Sequence, residues 1–94
     1  MKYSIEFMSS FKKALKKATK QGKDEKKLYT IIEKLASGEK LDSKYKDHAL
    51  IDNKHYKNCR ECHIEPDWLL VYKIIEDKLI LLLIETGSHS DLFK

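Results

Sequence analysis

Residues 68–85 read WLLVYKIIEDKLILLLIE, two apolar runs broken by Glu76, Asp77 and Lys78. Runs of β-branched, aromatic and aliphatic residues bounded by a charged tripeptide are expected to form two strands joined by a tight turn. The longest apolar stretch, Leu79 to Ile84, is six residues, too short to cross a bilayer. Upstream, Pro66 and Asp67 separate this pair from CRECHIE, residues 59–65, a further strand. Consecutive strands with short turns form an antiparallel meander.

The first half has a different period. In SSFKKALKKATKQG, Phe11, Ala14, Leu15 and Ala18 recur at helical spacing, with Ser9 or Ser10 as N-cap and Gly22 as the stop. In DEKKLYTIIEKLASGE the stripe is Leu28, Ile31, Ile32 and Leu35, with Asp24 as the cap and Gly38 past the end. These segments predict a helical hairpin. KYSIEF, ahead of it, alternates as a short strand does, and residues 39–57 read as one long polar connection. The expected architecture is α+β. One domain, residues 1–94, packs a small antiparallel sheet, made of the N-terminal strand plus the three-stranded meander, against the N-terminal helical hairpin.

Charge is unevenly spread. Of the eighteen lysines, eleven fall in residues 1–40 with five acids, while residues 41–94 hold eight Lys plus Arg and ten acids. A basic half points to a polyanionic partner, nucleic acid first; the alternative is a solvated lysine-rich helix face. Lys12, Lys13, Lys16 and Lys17 lie outside the apolar stripe of the first helix. The start, MKYSIEFMSSFKKALKK, has no apolar core of a signal peptide. The expected compartment is the cytoplasm, with no membrane association and with reduced thiols.

Cys59-Arg60-Glu61-Cys62-His63 fits C-x-x-C-H, the pattern that attaches c-type haem. A small cytochrome would be helical and exported, whereas this motif falls in a predicted strand. Residues three apart on a strand point to opposite faces. Cys59 and Cys62 therefore form neither a disulfide nor a two-thiolate clamp without a bulge, and the chain has no other Cys. They read as small apolar residues on a half-buried strand; no metal and no cofactor is expected. The same parity lines up His63, Glu65 and Asp67. His48, His63 and His89 all fall at polar junctions, and His55 sits in a lysine-rich loop.

DHAL (47–50), RECHIEPDWLLVYKI (60–74) and TGSHSDLF (86–93) together resemble the YafQ-type toxins of the RelE/ParE superfamily. That resemblance implies a bacterial toxin of a type II toxin–antitoxin pair. Its activity would be metal-independent cleavage of mRNA in the ribosomal A site, by a RelE-like fold. The implied partners are a cognate antitoxin, in a heterotetramer, and mRNA with the ribosome and its RNA. The matching positions are His48, Arg60, His63, Asp67, Trp68, His89 and Phe93. The chain departs from the pattern in three places. The stretch IDNKHYKNC lacks Gly, Cys59 stands where a Tyr usually precedes the Arg, and Glu85 stands where a basic residue commonly precedes TG.

Metal-free RNA cleavage uses the substrate 2′-OH as nucleophile and needs a base, an acid and positive charge near phosphorus. Histidine titrates nearest neutral pH and serves as either acid or base. On the implied roles, His89 is the acid and His48 or His63 the base, with acid and base interchangeable. Asp67 orients His63, and Arg60 holds phosphate through its planar fork. Phe93 stacks on a splayed base; Trp68 either does so or belongs to the core. Lys12, Lys13, Lys16 and Lys17 then track RNA. Two other readings compete: a catalytically impaired toxin-fold protein that binds RNA or antitoxin as a co-repressor, and a gyrase-directed toxin of the ParE branch.

Overall fold

The computed structural model describes residues 1–51 and 53–93. Its elements are β1 (Ser4–Phe7), α1 (Ser9–Lys20), α2 (Glu25–Ala36), a 3-10 turn Ser43–Tyr45, β2 (His48–Ala49), β3 (Arg60–Glu65), β4 (Trp68–Ile75), a 3-10 turn Glu76–Lys78, β5 (Ile80–Gly87) and α3 (His89–Leu92). The expected α+β architecture, with its helical hairpin and three-stranded meander, is what the chain adopts. The sheet itself is larger than expected and, contrary to expectation, not wholly antiparallel. The sheet has five strands in the order β1-β5-β4-β3-β2, and β1 pairs with β5 in parallel, making the sheet mixed. The long connection also holds β2, which pairs antiparallel with the start of β3.

The helices stop where the backbone requires glycine. Gly22 and Gly38 have φ of 83° and 79°, a region an L side chain disfavours. The second helix begins as expected, the Asp24 carboxylate accepting from the Lys26 amide at 3.0 Å. The first does not. Its N-cap is Met8, with no side-chain cap. Ser10 instead donates its hydroxyl to the Ile84 carbonyl at 2.7 Å, tying α1 to β5.

The apolar run Trp68–Tyr72 that opens β4 has a tertiary cause. Trp68 to Tyr72 are all 1% exposed or less, because β4 lies mid-sheet and is covered on both faces. On one face Leu28, Ile31 and Leu35 of α2 meet Cys62, Trp68, Leu70, Tyr72, Leu81 and Leu83. Each buried aliphatic or aromatic side chain there contributes about 1.5–3 kcal/mol. On the other face Tyr56, Cys59, Leu69, Val71 and Leu92 form a smaller cluster flanked by Phe93. Cys59 and Cys62 thus lie on opposite faces, as strand alternation requires. Burial pushes the Cys62 thiol up to about 12, a poor thiolate donor.

Candidate active site

β2 ends after two residues, and what it positions is His48. Its Cα partner across the ladder is Glu61 of β3, and directly opposed residues share a sheet face. His48 Nε2 is 3.2 Å from Glu61 Oε1, and His63 Nε2 is 3.6 Å from the same oxygen. The other ring nitrogen of His48, Nδ1, lies 2.7 Å from the Lys46 carbonyl. A carbonyl only accepts, so Nδ1 donates. Glu61 is buried, 6% exposed, and its Oε2 has no hydrogen-bond partner among the described residues. A buried carboxylate oxygen without a donor is costly.

α3 delivers the third histidine. Ser88 caps it: its hydroxyl accepts from the Asp91 amide, and the Asp91 carboxylate accepts from the Ser88 amide. Asp67, in the β3–β4 turn, then accepts from both the His89 amide (3.0 Å) and the His89 ring Nδ1 (2.8 Å). Those bonds, the amide first, hold the Asp67 carboxyl below the usual carboxylate range. An ionised Asp67 fixes the proton of His89 on Nδ1 and leaves Nε2 open. The rings of His63 and His89 meet edge-on with centroids 5.4 Å apart, and Phe93 lies 6.5 Å beyond His89. Both histidines line a cleft of about 800 Å³ together with Lys27, Lys44, Lys46 and Glu65.

Two sequence-based placements are corrected by this geometry, and of the two readings of Trp68 it favours the core. Asp67 serves His89, not His63, and the expected row of His63, Glu65 and Asp67 does not form. A bulge between His63 and Glu65 breaks the alternation, and Glu65 pairs with Lys27 of α2 at 2.9 Å. Trp68 is in the core: it is 1% exposed, and its indole donates to Thr86 Oγ1 at 2.9 Å. It has no free face for a base. Arg60 sits opposite Tyr72, on the hairpin side of the sheet, with its Nε 3.3 Å from Asp47 Oδ1 and 3.4 Å from the Tyr72 hydroxyl. Strand parity separates it from the three histidines.

The lysines of α1 are exposed but do not act as one face. Lys13 and Lys17 lie toward α3, where Lys17 is 3.4 Å from Asp91. Lys12 and Lys16 edge an apolar groove with Phe7, Phe11 and Tyr29. Sequence reasoning missed Glu61 and the cleft lysines 27, 44 and 46. Glu61 was accessible, since it shares strand parity with His63. The lysines carried no local signal; folding alone gathers them.

An imidazole backed by a carboxylate, beside a second imidazole on a lysine-lined cleft, defines a class: an acid–base site suited to a polyanion. The chain belongs to the YafQ family of bacterial toxins of type II toxin–antitoxin systems, whose family model matches residues 3–94. It is 41% identical over 90 residues to the mRNA interferase toxin YafQ of Escherichia coli strain B / BL21-DE3, covering 95% of this chain and 94% of that one. The toxin fold in the crystal structure of the E. coli DinJ–YafQ complex superposes with a TM-score of 0.87 at 36% identity, covering 98% of this chain and 99% of that one. A metal-bound toxin from Helicobacter pylori superposes with a TM-score of 0.88 at 45% identity, covering 97% and 99%.

Proposed function

We propose that this chain is an mRNA interferase: an endoribonuclease that cuts mRNA on the ribosome without a metal and is neutralised by a cognate antitoxin. The observation that carries the reading is the edge-on pair of His63 and His89 at a basic cleft, His89 beside Asp67 and His63 beside the Glu61 carboxylate that it shares with His48. Family membership and the relative's name support the substrate. The DinJ–YafQ complex supports an antitoxin partner, and the proposed resting assembly is a heterotetramer in the cytoplasm, where mRNA is found.

His48 has both ring nitrogens engaged, by Lys46 and Glu61, which suits it to orienting Glu61. That leaves His63 as base and His89 as acid. His63 takes the proton of the 2′-OH as the 2′-oxygen bonds to phosphorus. The bond from phosphorus to the 5′-oxygen breaks, and His89 Nε2 gives that oxygen its proton. The products are a 2′,3′-cyclic phosphate and a 5′-OH. Asp67 stabilises the imidazolium of His89 before transfer, and Lys27, Lys44 and Lys46 offset the charge on the phosphorane.

The test is cleavage of a defined mRNA on purified ribosomes, with and without excess chelator, followed by end mapping. Cyclic-phosphate and 5′-OH ends, insensitive to chelator, are expected. Ends carrying 5′-phosphate would make water the nucleophile and remove these roles. Loss with chelator and recovery with added metal would overturn the metal-free clause, in line with the metal bound by the H. pylori toxin.

One observation favours a non-cleaving RNA- or antitoxin-binding protein instead: Arg60, the sole arginine, is paired with Asp47 away from the histidines. Binding to ribosomes without any cut would establish that reading.

A further inference from the structure

A second cavity, of about 560 Å³, opens beside α3 and is lined by Asn53, His55, Tyr56, Glu85, Asp91, Leu92 and Phe93. The register of β4 on β5 shifts between Val71 and Tyr72, which sets Glu85 opposite Val71. The Glu85 side chain therefore leaves the sheet on the face of Leu69, Val71 and the three histidines, not toward the hairpin. It is half-buried. Its Oε1 takes only a long bond, 3.3 Å, from the neighbouring Thr86 amide. Among the described residues no lysine, arginine or histidine lies within salt-bridge distance of it. Phe93 joins this cavity to the acid–base site, 5.9 Å from Tyr56 and 6.5 Å from His89.

A carboxylate is the wrong group for a phosphate, which it repels. It accepts hydrogen bonds only, so whatever fills this cavity must present donors. Along the base-pairing edges of the RNA bases, adenine, cytosine and uracil set an acceptor beside their donor. Guanine alone sets two donors side by side, N1–H and the 2-amino group. These match the two oxygens of a carboxylate, a bidentate, charge-assisted arrangement. Unpaired bases are commonly read on that edge while a ring stacks against their face, and Phe93 is one of the rings that line the cavity.

We infer that Glu85 reads the pairing edge of an unpaired guanine in the RNA substrate, held in the cavity that Tyr56 and Phe93 line. Glu85 is thus a specificity residue next to the acid–base site. This assignment rests on the proposed RNA-cleaving function, but its test does not need cleavage.

The test is an NMR titration of the intact protein with guanosine monophosphate and, separately, inosine monophosphate, which lacks only the 2-amino group. Shared phosphate and ribose contacts cancel between the two. Guanosine monophosphate should shift the Thr86 amide and the Phe93 ring signals, binding roughly 5- to 10-fold more tightly than inosine monophosphate, as expected for loss of one arm of a bidentate contact. Glu85→Gln, whose thermal midpoint reports that it folds, should bind both alike. Equal affinities in the wild type, shifts confined to other residues, or an unchanged preference in Glu85→Gln would each overturn the assignment. In ribosome-bound cleavage, guanine should be enriched beside the cut for wild type and not for Glu85→Gln. Cleavage with no such enrichment would remove Glu85 from recognition and leave the interferase reading intact.

Discussion

Asp67 Oδ1 lies 2.8 Å from the Nδ1 of His89 and 3.0 Å from the amide of the same residue. One carboxylate oxygen thus positions both the backbone and the ring of the proposed acid. Asp67→Asn puts a neutral side chain there, whose amide end can donate to Nδ1 and select the other tautomer. Cleavage per folded molecule should fall by about 10²- to 10⁴-fold, the usual worth of a positioned proton donor. Single-turnover rates on programmed ribosomes, beside a melting curve, check this. Full activity in Asp67→Asn would detach Asp67 from the mechanism.

The same bonds predict an acid transition of α3. Both Asp67 and Asp91 have carboxyls held low, Asp67 chiefly by the His89 amide and Asp91 by the Ser88 amide. A depressed folded-state value means the unfolded chain takes up the proton first as pH falls. The stabilisation is therefore complete above the ordinary aspartate value of about 3.9 and is lost as pH drops through the lower folded values. The stability difference between wild type and Asp67→Asn should shrink as pH falls below about 4. Denaturant melts across that range measure it. A difference that grows in acid would reverse the sign and contradict the assignment.

Glu61 separates function from stability. Glu61→Gln removes the charge that faces His48 and His63 and also the buried oxygen that lacks a donor. Cleavage should drop by at least about 10-fold, while stability should hold or rise by about 1 kcal/mol as a buried charge becomes a neutral amide. Equilibrium unfolding and cleavage on one preparation decide it. A large loss of stability with unchanged rate per folded molecule would make Glu61 purely structural.

Trp68 gives the opposite pattern. Trp68→Phe keeps an aromatic ring but removes the indole N–H that Thr86 Oγ1 accepts. It should cost about 1–3 kcal/mol of stability and leave cleavage per folded molecule near wild type. A selective loss of RNA binding with normal stability would return Trp68 to base stacking.

The elements of the fold were legible because their signals are local. Phe11, Leu15 and Ala18 mark the inward stripe of α1 without reference to anything distant. The bounds of β4, Trp68–Ile75, coincide with a run that only Lys73 interrupts, because a central strand is covered on both faces. Parity alone separated Cys59 from Cys62. Ser9 and Ser10 misled as caps because Ser10 finds a better acceptor in Ile84, 74 positions away.

Sequence alone determined the period of each segment, the faces of its residues and the set of histidines to watch. The partners were decided by tertiary structure. His48 meets Glu61 only because β2 registers on β3. Asp67 reaches His89 only because the Ser88 cap and the end of β5 bring α3 over the β3–β4 turn. Lys27, Lys44 and Lys46 share one cleft only after α2 packs on the sheet. Periodicity fixes direction at each residue, whereas cross-strand register and helix docking depend on the summed burial of many distant side chains, which no short window contains.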